Sequence, residues 1–230
     1  MYTMLILYFS VFIYRMLRVD FQGSTHTEKA ASLGTTIIAV KYKDGVILGA
    51  DSRTSMGTYV SNRVTRKITK LIDNVYTCRC GSAADTQAIA DYAKRIMNTG
   101  IYCHGQKPLV KDVAVAIKKI VWDATDQGVT AGFIVAGVDE TGGHVFTIPL
   151  GGALIEQNWS IAGSGSAYIS GLGDSTFKEE MTKEEAVEFV KKMVSHAMYR
   201  DNSSGGCVRM MIVTEAGTEE ITILGNEVEV

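Results

Sequence analysis

Cysteine and proline are scarce in this chain, which has four cysteines and two prolines among its 230 residues. Small secreted domains that depend on a disulfide framework carry a much higher density of cysteine. An excess of either charge is also missing, since 23 Lys plus Arg face 25 Asp plus Glu and the formal net charge is −2. Nucleic acid and anionic membranes therefore find no overall electrostatic attraction here. We expect a protein of a reducing compartment that binds neither nucleic acid nor a membrane.

Long apolar runs are missing as well, because no run reaches the roughly 20 residues that a membrane-spanning helix needs. The longest run, MYTMLILYFSVFIY at residues 1–14, ends at Arg15. Its length suits the core of a secretory signal, but no Lys or Arg precedes it and the basic residues follow it. Three interpretations stay open: a secretory leader, a disposable leader of another kind, or a misassigned start codon with Met16 as the initiator.

The histidines and cysteines lack the spacing of a metal site. Cys78 and Cys80 alternate along one strand and so place two thiols on one face, whereas a structural zinc needs about four ligands. The four histidines are scattered along the chain: His26, His104, His144 and His196. We therefore predict no metal and no cofactor, and we interpret the cysteines as small buried residues.

Pairs of strands alternate with helices along the rest of the sequence. β-rich runs flank the turn residues 43–45 (Lys-Asp-Gly), and further strand signals fall near 75–80, 130–139, 143–150, 159–162, 207–214 and 219–225. Helical spacing of apolar residues follows Ser82, recurs over 110–121, and follows a capping box at Thr182 and Glu185. Single helices between strands would instead indicate a parallel sheet. We predict an α+β protein: a four-layer αββα sandwich of two antiparallel sheets flanked by helix pairs.

The sequence GTT at residues 34–36 can supply a self-sufficient nucleophile. Cleavage between Gly34 and Thr35 would give Thr35 a free α-amine beside its own hydroxyl, and such an amine can act as the base. Glycine before the cut leaves room for the hydroxyl to approach the preceding carbonyl. Taken alone, however, a Gly-Thr-Thr sequence is more typical of an ordinary strand edge. Likewise, the Gly-rich segment GSGSAYISGLG at 163–173 taken alone is a turn or a phosphate-binding loop.

Six segments in order remove that ambiguity. They read GTTIIAV, DGVILGADSRT, NRVTRKITK, CRCGSAADTQ, IAGSGSAYI and RDNSSGG. With these segments, the chain from about Leu33 to its end resembles the catalytic β subunits of the eukaryotic 20S proteasome, which are N-terminal-nucleophile threonine proteases. The resemblance implies the N-terminal-nucleophile hydrolase fold, a leader over residues 1–34 that is removed, and a single catalytic domain over residues 35–230.

The resemblance also implies the roles of individual residues. Thr35 would be the nucleophile, with Lys67 as a buried cation that lowers the pKa of the hydroxyl and amine, and Asp51 as the partner that holds Lys67. A supporting cluster near the terminal amine would consist of Ser164, Asp201 and Ser204. The backbone N–H of Gly81 would stabilise the oxyanion.

Arg79 carries the predicted specificity. By resemblance it forms the base of the primary specificity pocket, where a fixed cation favours Asp or Glu just before the cut. The other pocket positions implied by the resemblance are small: Thr54, Thr65, Thr69 and Ala83. This pattern resembles the caspase-like, post-acidic type of β subunit.

The resemblance implies partners too: other α and β subunits in stacked heptameric rings, unfolded polypeptide substrates and, indirectly, regulatory particles. The expected location is the cytoplasm and nucleus. Two alternatives stay open, namely an unprocessed, non-catalytic β subunit of the ring, and a secreted or membrane-anchored protein that keeps its leader.

Overall fold

Two five-stranded antiparallel sheets form the centre of the protein in the computed structural model, which describes residues 34–105 and 107–227. The first sheet has the spatial order β10-β1-β2-β11-β12. Its strands are β1 (Ile37–Tyr42), β2 (Gly45–Ala50), β10 (Trp159–Ala162), β11 (Val208–Thr214) and β12 (Gly217–Ile223). The second sheet has the order β5-β6-β7-β8-β9. Its strands are β5 (Ile68–Ile72), β6 (Val75–Gly81), β7 (Ala131–Asp139), β8 (Gly142–Ile148) and β9 (Ile155–Glu156).

Two helix pairs cover the outer faces of these sheets. The described helices are α1 (Ala83–His104), α2 (Val110–Ala124), α3 (Ser166–Thr176) and α4 (Lys183–Arg200), with short 3₁₀ turns at Thr125–Gln127 and Gly225–Glu227. A separate hairpin of β3 (Thr54–Met56) and β4 (Tyr59–Asn62) lies outside both sheets. Thr182 and Glu185 form the predicted capping box at the start of α4.

Three apolar clusters hold the four layers together. One joins α1 and α2 to the second sheet, another joins α3 and α4 to the first sheet, and the third lies between the sheets. Side chains alternate across a strand, so Ile37 packs between the sheets whereas Ile38 packs against the helices, and both are fully buried. The predicted αββα sandwich of two antiparallel sheets is confirmed.

The β1–β2 hairpin positions the candidate site. β1 and β2 are joined by the predicted turn, and Ile37 pairs with Ala50 at the open end of the hairpin. This register brings the residues before β1 beside those after β2. Accordingly, the N–H of Asp51 donates to the carbonyl oxygen of Thr36 at 3.1 Å.

The Gly-rich segment at 163–173 differs from the turn or loop that its composition suggests, because most of it forms helix α3. Glycine is a poor helix former, but Gly173 lets the ring of Trp159 pack directly on the helix. A Cβ at Gly173 would lie 2.3 Å from that ring. Tertiary packing therefore outweighs local propensity here.

Residues 1–33, which contain the apolar run and most of the expected leader, lie outside the described residues. Over the part that is described, no helix combines the length and apolarity required to cross a membrane. That part also contains no group of three or more His, Cys, Asp or Glu side chains placed to hold a metal ion. All four cysteines are free thiols; Cys78, Cys80 and Cys207 are buried as expected, whereas the expectation is wrong for Cys103, which is exposed near the end of α1.

Candidate active site

Thr35 lies just before β1 and is buried, with 5% of its surface exposed. Its hydroxyl donates to the carbonyl oxygen of Gly34 at 2.6 Å, and its backbone N–H donates to Ser164 Oγ at 3.1 Å. Gly163, with φ +92°, allows the loop carrying Ser164 to approach this closely, since a Cβ there would lie 2.1 Å from the carbonyl oxygen of Thr35. Hydrogen bonds thus fix both the hydroxyl and the backbone N–H of the predicted nucleophile.

Asp51 and Lys67 form a buried ion pair beside Thr35. Lys67 Nζ lies 2.6 Å from Asp51 Oδ1, and the two side chains are 6% and 0% exposed. Burial lowers the pKa of Lys67, while the Asp51 carboxylate opposes that shift by favouring the charged ammonium. Asp51 also accepts backbone N–H groups from Thr36, Arg53 and Gly205. These bonds offset the cost of burying the carboxylate.

Lys67 also donates to the Gly34 carbonyl oxygen, at an Nζ–O distance of 3.2 Å. The same oxygen accepts the Thr35 hydroxyl, so a cation and a hydroxyl converge on one peptide carbonyl. A cation at a carbonyl oxygen polarises the bond and favours attack on its carbon. Gly34 is required at this position because a Cβ would lie 2.0 Å from the carbonyl oxygen of Ser203.

Asp201 organises a second polar cluster next to the Thr35 backbone. Its Oδ2 accepts the hydroxyls of Ser164 and Ser204, both at 2.7 Å, and its Oδ1 accepts the N–H of Ser203 at 3.0 Å. Burial alone would raise the pKa of Asp201, but these hydrogen bonds outweigh it and hold the pKa below its usual value. Asp201 is therefore a carboxylate at neutral pH. The three residues of the predicted supporting cluster lie together beside Thr35.

Thr35 opens onto a small cavity of about 30 Å³, which also contains most of the predicted pocket residues. The lining residues are Gly34, Thr35, Thr54, Thr65, Lys67, Arg79, Gly81, Ala83 and Thr86. Thr69 was predicted for the pocket but does not line this cavity; it lies on β5 opposite Thr77 of β6. Thr86, in the first turn of α1, lines it although the sequence analysis did not select it.

Arg79 supplies the cavity with a cation that forms no salt bridge with any described residue, although the more distant Asp91 carboxylate favours its charged form. Its Nη2 donates to the carbonyl oxygen of Arg66 at 2.8 Å, and its buried Nε has no hydrogen-bond partner among the described residues. Burial lowers the pKa of Arg79, but a guanidinium remains charged at neutral pH. Lys67, the other cation of the cavity, is already neutralised by Asp51. Arg79 is thus the group that an incoming anion would meet.

Gly81 ends β6 at the rim of the same cavity, with φ +107°. Any other residue would be strained in this conformation, and a Cβ would lie 2.4 Å from the carbonyl oxygen of Thr130. The backbone of Gly81 therefore faces the cavity without a side chain to obstruct a peptide. This placement agrees with the predicted role of its N–H, which stays a prediction.

Thr36 is a site residue that the sequence analysis did not select. It is fully buried, its N–H donates to Asp51 Oδ1 at 2.8 Å, and its Oγ1 lies 2.8 Å from Ser204 Oγ. Thr36 therefore contacts both carboxylate clusters of the site, which are Asp51 with Lys67 and Asp201 with its two serines. Its position next to the expected cleavage point was the only signal in the sequence.

Comparison with known proteins adds a family match. A family model described as "Proteasome subunit" matches residues 31–213. A "Probable proteasome subunit beta type-1" of Schizosaccharomyces pombe is 52% identical over 188 residues, covering 81% of this chain and 83% of that protein. The "Proteasome subunit beta type-1" of Saccharomyces cerevisiae is 48% identical over 199 residues, covering 86% and 92%. The "Proteasome subunit beta type-6" of Arabidopsis thaliana is 49% identical over 187 residues, covering 81% and 80%.

Proposed function

The chain belongs to the proteasome subunit family, and from that premise we propose that it is a threonine endopeptidase subunit of a proteasome core that cleaves after acidic residues. The observation that carries the proposal is the convergence of Thr35 Oγ1 and Lys67 Nζ on one carbonyl oxygen. A nucleophile and a polarising cation at the same peptide bond are the parts needed for acyl transfer.

The first reaction is the removal of the leader, residues 1–34, by the chain itself. Thr35 Oγ1 attacks the carbonyl carbon of Gly34, the bond from that carbon to the Thr35 nitrogen breaks, and the hydroxyl proton ends on the nitrogen. Water then hydrolyses the resulting ester, which leaves a carboxyl group on Gly34 and a free amine and hydroxyl on Thr35. Lys67 stabilises the charge that develops on the carbonyl oxygen in both steps.

The same groups then act on a substrate peptide. The free amine of Thr35 takes the proton of the hydroxyl as it attacks the scissile carbonyl, because an α-amine with a pKa near 7.7–8.0 is partly neutral at pH 7. Ser164 and Asp201 hold that amine, since Ser164 Oγ already accepts the Thr35 N–H. The N–H of Gly81 binds the oxyanion, and water releases the acyl-enzyme.

Specificity for acidic residues is proposed to come from Arg79. A carboxylate in the cavity would meet the guanidinium of Arg79 and the hydroxyls of Thr54 and Thr65, which now bond to each other at 2.8 Å. The cavity of about 30 Å³ is too small for a full glutamate side chain while residue 34 is in place. Removal of the leader opens the same space, since Gly34 lines it.

Assembly and location extend the proposal. The chain is proposed to act within stacked heptameric rings with other α and β subunits, where enclosure admits unfolded polypeptides and regulatory particles control entry. The relatives named above are themselves proteasome β subunits, which supports this assembly. The proposed location is the cytoplasm and nucleus, which cell fractionation with the assembled particle as marker would test.

Paired variants of the assembled particle test the proposed function. Two peptides that differ only in having Glu or Leu before the cut are incubated with particles that carry either the wild-type chain or the Thr35→Ala variant. We expect the wild type to cleave after Glu and the Thr35→Ala variant to lose this activity. Intact mass should also show that the Thr35→Ala chain keeps its leader. Equal cleavage by both particles would contradict the proposal and favour a non-catalytic subunit.

A further inference from the structure

Thr36 joins the two carboxylate clusters that surround the nucleophile. Its backbone N–H donates to Asp51, the partner of Lys67, and its hydroxyl contacts Ser204, a partner of Asp201. The side chain is fully buried and does not line the cavity beside Thr35. It therefore cannot contact a substrate there, and any effect on the reaction has to pass through its neighbours.

The hydrogen bonds of this cluster have a fixed direction. Asp201 is a carboxylate and can only accept, so the hydroxyl hydrogen of Ser204 is committed to Asp201 Oδ2. Ser204 Oγ can then only accept from Thr36, which makes the Thr36 hydroxyl the donor of the 2.8 Å bond. The chain of donation runs from Thr36 through Ser204 to Asp201.

The same reasoning fixes the other branch. Ser164 donates its hydroxyl hydrogen to Asp201 and so has a lone pair free to accept from the Thr35 nitrogen. After cleavage, this acceptor binds one hydrogen of the new amine and leaves the nitrogen lone pair available for the Thr35 hydroxyl. Asp201 thus receives both branches, and the orientation of the amine depends on how well its carboxylate is held.

The backbone next to Ser164 packs closely against Thr36. A Cβ at Gly165 would lie 1.9 Å from Thr36 Oγ1, so the loop that carries Ser164 rests directly on this hydroxyl. The N–H of Gly165 also donates to the Thr35 carbonyl oxygen at 3.3 Å. The Thr36 hydroxyl therefore contacts Ser204 and also packs against Gly165.

We propose that the Thr36 hydroxyl is a positioning group for the N-terminal nucleophile, which acts through Ser204 and Asp201 to orient the Thr35 amine. This inference rests on the proposed function, because it assigns Thr36 a role in the same reaction. If the hydroxyl only stabilised the fold, its loss would lower the unfolding free energy and leave kcat as unaffected as the loss of any other buried hydroxyl. If it acts through Ser204, the effects of losing the two hydroxyls on kcat overlap.

The test is a double-mutant cycle in the assembled particle, with Thr36→Val, Ser204→Ala and the double variant. Valine keeps the shape of threonine and removes the donor. We expect kcat on a peptide with Glu before the cut to fall about five- to tenfold in Thr36→Val, with KM changed less than twofold. Thr36→Ser, which keeps the hydroxyl, should restore kcat. The double variant should be no slower than Ser204→Ala within a factor of about two.

Thr77→Val is the matched control. Thr77 is also fully buried, and its hydroxyl donates to the Ile134 carbonyl oxygen at 3.1 Å, outside the cavity and both clusters. A kcat for Thr36→Val equal to that of Thr77→Val, or effects of Thr36→Val and Ser204→Ala that multiply, would overturn the proposal. The Thr36→Val chain could also fail to lose its leader. That result supports the proposal if the Thr36→Ser chain is processed, and it overturns the proposal if the Thr36→Ser chain also keeps its leader. Failure of the proposed function itself would be seen separately, as a wild-type particle no more active than Thr35→Ala.

Discussion

Replacing Arg79 with methionine removes the unmatched cation of the cavity while keeping most of the side-chain length. The guanidinium of Arg79 donates to the Arg66 carbonyl and forms no salt bridge with a described residue, so a substrate carboxylate in the cavity would supply its counter-ion. Removing one partner of a buried, hydrogen-bonded charge pair costs about 2–5 kcal/mol. Arg79 is only half-buried, which favours the lower end of that range. A cost of about 2 kcal/mol corresponds to a roughly 30-fold loss of kcat/KM.

The assay compares two peptides that differ only in Glu or Gln before the cut. We expect the ratio of their kcat/KM values to fall about 30-fold in Arg79→Met, with cleavage of the Gln peptide largely retained. Arg209→Met is the matched control, because Arg209 Nε is also buried without a partner and its side chain does not line the cavity. An unchanged Glu/Gln ratio in Arg79→Met, or an equal fall in Arg209→Met, would refute the reasoning.

Three further variants test other parts of the site. Gly34→Ala should block removal of the leader, since its Cβ would lie 2.0 Å from a backbone carbonyl oxygen, whereas Gly151→Ala, in open space, should be processed normally by intact mass. Lys67→Met leaves the Asp51 carboxylate buried without its cation, so we expect lost activity and about 3–5 kcal/mol lower unfolding free energy; an unchanged melting temperature would contradict this. Burial by itself would raise the pKa of Asp201, but its hydrogen bonds outweigh burial and lower the pKa below the usual value. The Asp201 carboxylate should therefore stabilise the fold fully at neutral pH, and this stabilisation should disappear as the pH falls below about 4. In thermal unfolding, wild type and Asp201→Asn should then converge at low pH, and a constant difference down to pH 2 would argue against this assignment.

The layered fold was predictable because its determinants are local. Turn residues at 43–45 and the capping box at Thr182 indicate element boundaries, and apolar periodicity gives the buried faces. Helix α3 was not predictable in the same way, because its glycines oppose helix formation locally. Its stability depends on contacts such as Gly173 with Trp159, which only the folded chain brings together.

The residues of the site could be predicted only where they fall within the six motifs that resemble a known family. Thr35, Asp51 and Lys67 are far apart in sequence, and no periodicity relates them, so the resemblance alone grouped them. Thr36 was missed because its role depends on the direction of hydrogen bonds in space. Thr69 was placed in the pocket by resemblance, but its position on β5 leaves it off the lining of the described cavity.

The N-terminus of the native chain tests the central claim most directly. Intact mass and N-terminal sequencing should be carried out on the chain from its native source, in the size fraction where it resides. The account predicts a terminus at Thr35 within a very large complex. A terminus at Met1 or Met16 in that complex would leave Thr35 without its amine and would contradict the proposed catalytic role.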